Sequence, residues 1–308
     1  MVKCKICNEK VSEIGIKNGY TIGECEYCEF QFVLNLPDHK TLSSLYQDQK
    51  ITKWDSIDLN KTYKNFLESN NNPKRDFFDA LIQLVQENTR KNNLKILEIG
   101  SGRSDLVFYA NSINHDSTGI EANIEVVNYL NKIHKGKIKY LKNDNYDDLT
   151  ENTYDFIYLE HALEHFLDIN KLFGSLNKLL KENGVIAILV PNHNSTLSNK
   201  FKLEWSEYCP PFHLSFFKPK SISMLLEKYG YNILKVEEKS YYFRSVWQNY
   251  SIDKFINRIL SIFRKVVGVK YLKYPYTYPK TISEKIRLIP WILSNNVGEE
   301  LFIVAQKK

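Results

Sequence analysis

The stretch Lys95-Ile96-Leu97-Glu98-Ile99-Gly100-Ser101-Gly102-Arg103-Ser104 decides the fold of this chain. Aliphatic residues with one acid among them run straight into two glycines separated by one residue. That pattern predicts a buried parallel strand, a tight turn and a helix, the place where an open α/β sheet receives a nucleotide-like cofactor. Glycine suits the turn because the backbone needs unusual angles and a ligand must approach the main chain closely. The third glycine of a dinucleotide fingerprint is Ser104 here, so the loop alone does not say which cofactor it holds.

Working outward, strands and helices alternate with regular spacing. Strands are expected at 94–100, 117–122, 137–142, 154–160, 185–191, 231–238 and 299–307. Helices are expected at 104–114, 123–134, 168–181 and 219–229, the third stopped by Asn183-Gly184 and the last by Gly230. Such alternation implies right-handed βαβ crossovers and a mainly parallel, doubly wound sheet. Upstream, Phe77, Phe78, Leu81, Ile82, Leu84 and Val85 recur at helical spacing, so an amphipathic helix from Pro73 to about Arg90 leads into the first strand.

The ends of the next strands sharpen the cofactor argument. Glu121 closes the second strand twenty-three residues after Glu98. A carboxylate there can accept hydrogen bonds from both hydroxyls of a ribose. Asn143-Asp144-Asn145 ends the third strand, where a side chain can meet an adenine edge. Glu98, just before the turn, can orient the loop backbone. A pyrophosphate would prefer the full glycine-rich loop; Glu98 and Ser104 suit a cofactor without phosphate.

Over residues 75–240, and again at 299–307, these pieces together resemble a class I S-adenosylmethionine-dependent methyltransferase. The matching segments are Leu97-Glu98-Ile99-Gly100-Ser101-Gly102, Gly119-Ile120-Glu121, Asn143-Asp144, Tyr154-Asp155-Phe156-Ile157 and Leu163-Glu164-His165. Leu179-Leu180-Lys181-Glu182-Asn183-Gly184-Val185 and Pro191-Asn192 complete the series. The resemblance implies an enzyme with a doubly wound, seven-stranded Rossmann-like sheet whose last strand, 299–307, runs antiparallel. It implies that Gly100 and Gly102 pass the methionine part of S-adenosylmethionine, that Glu121 holds the ribose and that Asp144 or Asn145 meets the adenine. Glu98, Ser101, Ala122 and Glu160 complete the expected cofactor-binding set. Ser104, where many members have glycine, is the departure from the pattern.

Residues 1–36 carry Cys4-Lys5-Ile6-Cys7 and Cys25-Glu26-Tyr27-Cys28, two C-x2-C pairs seventeen residues apart. The spacing is that of a closed, structural Zn2+ site with Cys4, Cys7, Cys25 and Cys28 as ligands. Between them, 11–22 alternates like a hairpin turning at Asn18-Gly19. So small a segment cannot build an adequate core, and metal would supply much of its folding energy. No thioredoxin-like βαβ pattern surrounds either pair, which argues against redox chemistry. This zinc-ribbon-like module ahead of such a domain resembles methyltransferases of sugar and surface-polysaccharide pathways. Residues 37–72 are a polar connector with short helices, able to fold over the cofactor cleft or to pack as a plain linker.

Methyl transfer from a sulfonium is an in-line displacement, and a hydroxyl acceptor needs a base for its proton. His165, with His161 and Glu164, follows the fourth strand on the cofactor side. Residues 161–165 also spell H-x-x-E-H, but that zinc-peptidase signature belongs within a long helix, whereas this one begins where a buried strand ends. His213 lies in a second cluster, Trp205 to Phe217, whose two prolines stiffen it and whose aromatics could stack on a sugar ring. His213 is the first candidate base and His165 the second. Cys209, with no second cysteine nearby, reads as an ordinary loop thiol.

The net charge of +6 is concentrated late: 241–296 holds ten Lys or Arg against Asp253 and Glu284, so the remainder is close to neutral. This basic helical insertion can hold a phosphate-bearing acceptor such as a nucleotide-linked sugar, lie against an anionic membrane surface, or pack with a solvated basic face. The charge does not extend through the chain, which argues against nucleic acid. A hydrophobic content of 43% and a charged content of 25% are those of a soluble globular protein. With no membrane span and no signal-peptide core, a cytoplasmic location is expected. The expected organisation is a zinc module (1–36), connector (37–72), cofactor-binding domain (73–240), basic insertion (241–296) and last strand (297–308). The expected activity is O-methylation of a small or carbohydrate acceptor in surface-glycan biosynthesis. C-methylation of a nucleotide-linked keto-sugar and a non-catalytic cofactor-binding scaffold are the alternatives.

Overall fold

A computed structural model describes residues 2–47, 58–68, 72–134, 136–141, 145–146, 149–239 and 298–308. In chain order the strands and helices begin with β1 (Val11–Lys17), β2 (Tyr20–Cys25), β3 (Gln31–Val33), α1 (His39–Gln47), α2 (Leu59–Glu68) and α3 (Pro73–Thr89). They continue with β4 (Lys95–Ile99), α4 (Asp105–Ser112), β5 (Asp116–Glu121), α5 (Ile124–His134), β6 (Ile138–Tyr140) and β7 (Tyr154–Glu160). The remainder is α6 (Ile169–Leu179), β8 (Leu180–Pro191), α7 (Thr196–Phe201), β9 (Ser215–Phe216), α8 (Pro219–Lys228), β10 (Tyr231–Lys239) and β11 (Glu300–Lys307).

The main sheet has seven strands in the order β10-β11-β8-β7-β4-β5-β6. Strands β6, β5, β4, β7 and β8 run parallel, and β11 pairs antiparallel with both β8 and β10. This is the doubly wound sheet that the alternation implied, with the one reversed strand that the resemblance implied. The strand order reverses between β4 and β7, the switch point at whose carboxyl ends such sheets bind ligands.

Each face of the sheet buries its own layer, as alternation along a strand requires. Ile96, Phe156, Tyr158 and Ala187 meet Phe78, Leu81, Val85, Leu106 and Tyr109 of α3 and α4. Leu97, Ile99, Ile157 and Leu159 meet Leu172, Phe173, Leu176, Ile222 and Leu225 of α6 and α8. Helix α3 begins where expected because Asn72 caps it, its Oδ1 accepting from the Lys74 and Arg75 amides, with Pro73 at the first position.

One helix stop differs from expectation. Helix α6 ends at Leu179 and β8 starts at once, so Asn183-Gly184 falls inside the strand, with Asn183 at φ +60. Leu179 and Leu180 are both buried, and Lys181 reaches back to Asp155 at 3.0 Å, so the chain turns before the glycine. The extra residues are absorbed as a register shift between Tyr154 and Phe156.

The cysteine-bearing segment is joined to the rest by backbone. Strands β1, β2 and β3 form a second sheet, and its fourth strand is β9, from the loop before α8. The β1–β2 hairpin turns at Asn18 (φ +50) and Gly19 (φ +82), a turn with both central residues left-handed, as the sequence pattern demanded. Its apolar side chains have no core of their own. Ile22 and Val33 pack with Trp205, Tyr208, Leu214 and Phe216, while Phe30 and Phe32 join the main core.

Asp155, at the start of β7, is 4% exposed and ties three segments: it accepts from the Lys95 amide at 2.9 Å, from Lys181 at 3.0 Å and from Lys91. Burial alone would raise its pKa, but Lys91, the Lys95 amide and Lys181 together hold it below the ordinary value of 3.8. A carboxyl with a depressed folded pKa stabilises the fold fully above the unfolded value, and that contribution disappears as pH falls through the folded one. Asp155→Asn should therefore cost about 2 kcal/mol at neutral pH. Denaturant midpoints should show the difference from wild type shrinking below about pH 3.8; a difference constant down to acid would overturn the role.

Candidate active site

The turn after β4 is held from both sides. The Ser101 amide donates to Ile120 O at 2.9 Å, and the Gly102 amide donates to Glu121 Oε2 at 3.0 Å. Glu121 Oε1 in turn accepts from the Asn123 amide at 2.9 Å. The carboxylate thus braces the loop against β5, and each oxygen keeps a second lone pair for a hydroxyl. Gly100 (φ +66) could not carry a side chain, since a Cβ there would sit 2.8 Å from that of Ala162. Gly102 (φ +49) faces open space, and a Cβ would fill the cradle that the loop leaves. Ser104 takes the left-handed conformation (φ +57) that glycine would take, and its Oγ lies 3.0 Å from that of Ser101. The expected departure from the glycine pattern is therefore accommodated by a buried hydroxyl pair.

Beside the loop lies a charged cluster that the sequence did not announce. Lys74, in the first turn of α3, reaches Asp105 at 3.0 Å and Glu160 at 3.4 Å, and Arg103 reaches Asp105 at 2.8 Å. Glu98 is 4% exposed on the same side of the sheet, and its Oε2 has no hydrogen-bond partner. Burial, then the neighbouring Glu160, push its pKa well above the ordinary value. A neutral carboxyl there can donate a hydrogen bond. Tyr63 of α2 donates to Arg103 O and stacks on Phe108 at 4.1 Å, so part of the connector does pack over the loop. No local signal marks Lys74 or Tyr63, whose placement depends on how α2 and α3 dock on α4.

Across the Gly100–Ala162 contact stands the second half of the site. His161 (φ +49) lies 3.5 Å from Glu164 and 3.6 Å from Glu300. Leu163–His165 forms one tight 3₁₀ turn rather than a long helix. Glu164 is 1% exposed; burial would raise its pKa, but His161, His165 and His213 bring it down to about 2. His165 and His213 meet edge to face with ring centroids 4.8 Å apart. His165 Nδ1 donates to Phe212 O at 2.8 Å and His213 Nδ1 to Glu207 O at 2.9 Å, so the lone pair of each neutral ring lies on Nε2. Burial pushes His213 down to about 4 and raises Glu207 to about 7.

The structure thus brings His165 and His213, forty-eight residues apart in sequence, into contact. It does not offer the aromatic platform expected of the loop. Trp205, Tyr208, Phe216 and Phe217 are buried core side chains, and Trp205, Tyr208 and Phe216 surround the buried His193 instead. These rings fill the space between the cysteine-bearing sheet and the domain. Only Phe212 remains half-buried. Asn145 is exposed and Ala122 half-buried next to Glu121, whereas Asp144 and the basic insertion 241–296 lie outside the described residues.

At the far end of the cysteine-bearing sheet, the sulfurs of Cys4, Cys7, Cys25 and Cys28 lie within 4.8 Å of one another. Cys4 and Cys28 are 3.5 Å apart and Cys7 and Cys25 3.4 Å. Each pair closes a turn ended by a left-handed residue, Asn8 (φ +65) and Glu29 (φ +61), whose amides return to Cys4 O and Cys25 O at 3.0 Å.

Residues 70–236, more than half of the chain, match the methyltransferase-domain family. Among curated proteins none matches. Solved structures of similar fold include a SAM-dependent methyltransferase from Archaeoglobus fulgidus, 17% identical over 82% of this chain and 100% of that one, TM-score 0.46. A SAM-dependent methyltransferase from Methanosarcina mazei is 14% identical over 72% of this chain and 96% of that one, TM-score 0.47. Another, from Mesorhizobium loti, is 12% identical over 74% and 96%, TM-score 0.44. No described helix is long and apolar enough to cross a membrane. With the family match laid over the β10-β11-β8-β7-β4-β5-β6 sheet and its glycine turn, the chain belongs to the class I S-adenosylmethionine-dependent methyltransferases.

Proposed function

We propose that this enzyme methylates a hydroxyl oxygen of a carbohydrate, most specifically a nucleotide-linked sugar in surface-glycan biosynthesis. The observation that carries the hydroxyl acceptor is the abutment of two half-sites across Gly100 and Ala162. On one side lies the glycine turn with Glu98, Ser101, Glu121, Ala122 and Glu160; on the other lie His165 and His213 with Nε2 lone pairs. The sugar class is supported by the resemblance of the four-cysteine module to those of sugar-pathway methyltransferases.

S-adenosylmethionine supplies an electrophilic methyl on a sulfonium. In this reading Gly100 and Gly102 leave room for its methionine part, while Glu121 offers its remaining lone pairs to the ribose. Asp144 or Asn145 meets the adenine. His213, with His165 behind it, takes the proton that the acceptor hydroxyl loses as the new O–C bond forms. Cys4, Cys7, Cys25 and Cys28 would hold a structural Zn2+: their sulfurs lie within 4.8 Å of one another, a spacing that a four-thiolate site accepts. The ion would steady β1–β3 and, through β9, the loop that carries His213.

Isothermal titration with S-adenosylhomocysteine should show one site per chain. Gly102→Ala should weaken it at least tenfold while costing only about 1 kcal/mol of stability for the left-handed backbone; unaltered affinity would remove the loop from the site. His213→Ala should lower turnover about 10²-fold with cofactor affinity intact. Product analysis by mass spectrometry and NMR would replace the hydroxyl acceptor if the new methyl were carbon-bound. Protein purified without chelator should hold tightly bound zinc that Cys25→Ser abolishes, and full folding of that variant without metal would contradict the structural role.

A further inference from the structure

We propose that Glu164, His165 and His213 form a divalent-cation centre beside the cofactor loop, separate from the four-cysteine cluster. One ligating atom from each of the three lies within 4.8 Å of the other two. Drawing them onto an ion at about 2.1 Å needs a closure of roughly 1 Å, within side-chain reach.

Three observations favour an ion over a plain hydrogen-bonded cluster. First, each histidine donates its Nδ1–H to a main-chain carbonyl, Phe212 O or Glu207 O, with Glu207 Oε2 also 3.7 Å from His213 Nδ1. That is the outer-shell arrangement that fixes the tautomer of a metal-binding imidazole and aims Nε2 at the ion. Second, both carboxylate oxygens of Glu164 are buried and neither accepts a hydrogen bond. Its nearest ring nitrogens stand at 3.5 Å (His161 Nδ1) and 4.0 Å (His165 Nε2). A buried carboxylate that accepts no hydrogen bond is costly, and a bound cation would add to the partial compensation that His161 gives it. Third, the backbone locks the two ligand-bearing segments together, the Leu214 amide donating to Glu164 O at 2.8 Å.

Sequence order conceals this set. In H-x-x-E-H on a helix the two histidines of the motif share the metal, whereas here His161 lies between Glu164 (3.5 Å) and Glu300 (3.6 Å), and His213 from the other loop completes the three-residue cluster. Two imidazoles and one carboxylate suit a first-row divalent ion with coordination positions left over for water or substrate. The use of the site rests on the hydroxyl acceptor proposed above, though its existence does not. An acceptor hydroxyl bound there would be acidified and oriented. With the ion bound, His165 and His213 serve as its ligands in place of the base role: the acceptor oxygen would bond to the methyl carbon as the S–C bond breaks, its proton leaving to water and the cofactor leaving as a neutral thioether.

The test is a Co2+ titration of the full chain with its cysteine cluster pre-filled with Zn2+, read by visible absorption and by metal analysis after gel filtration. We expect one further Co2+ per chain, with weak ligand-field bands and no sulfur-to-metal charge transfer. Glu164→Gln, His165→Ala and His213→Ala should each weaken that binding at least tenfold while circular dichroism and S-adenosylhomocysteine affinity stay unchanged. No saturable Co2+ binding by the wild-type chain up to millimolar concentration would overturn the site, and needs no variant. So would binding that the three substitutions leave intact. Because S-adenosylhomocysteine binding is read on the same protein, failure of the metal site is distinguishable from failure of the methyltransferase assignment.

Discussion

The backbone of Leu214 is the junction on which the histidine-bearing half of the candidate site depends. Its amide donates to Glu164 O at 2.8 Å, and its carbonyl accepts from the Val33 amide at 3.0 Å. One residue therefore joins the turn after β7, the loop bearing His213 and the third strand of the cysteine-bearing sheet. The next residues extend the junction as β9, with Phe32 opposite Ser215 and Gln31 opposite Phe216. Peptide groups this deeply placed must be paired, so the loop cannot shift without breaking a strand contact. The small N-terminal sheet, short of a core of its own, is stabilised by the same contact that positions the histidine.

Charge is arranged around this junction in two separate groups. On the loop side, Lys74 and Arg103 offset Asp105 and Glu160, leaving the buried Glu98 as the carboxyl that burial drives toward its neutral form. On the histidine side, His161, His165 and His213 hold the buried Glu164 carboxyl well below its ordinary pKa. Ala162, packed against Gly100, separates the two groups. Two carboxylates on strongly different sides of their ordinary pKa, on either side of one loop contact, give the cleft one half that can donate and one that can accept.

Much of this was legible before any coordinates. The aliphatic run at 95–99 with Gly100 and Gly102, the acid at 121 and the apolar strand at 299–307 are local patterns. Burial on both faces of a strand and the glycine turn leave marks on consecutive residues. The Asn183-Gly184 stop misled because a tertiary contact, Lys181 to Asp155, turns the chain earlier than local propensity does. The aromatic residues at 205–217 misled because composition cannot tell a ring that faces a ligand from one that fills the seam between two sheets. His193, which those rings enclose, drew no attention for the same reason.

By itself, the sequence determined the doubly wound sheet, the position of the glycine turn and the pairing of four cysteines as one cluster, while the reversal of the last strand came from the family resemblance. The first three follow from spacing along the chain. Only the tertiary structure decided that His213 meets His165 beside Glu164, that Lys74 and Tyr63 reach the loop, and that β9 belongs to the N-terminal sheet. Those are meetings of segments far apart in sequence, set by how helices and loops dock on the finished sheet, and docking leaves no periodic trace in the residues that take part.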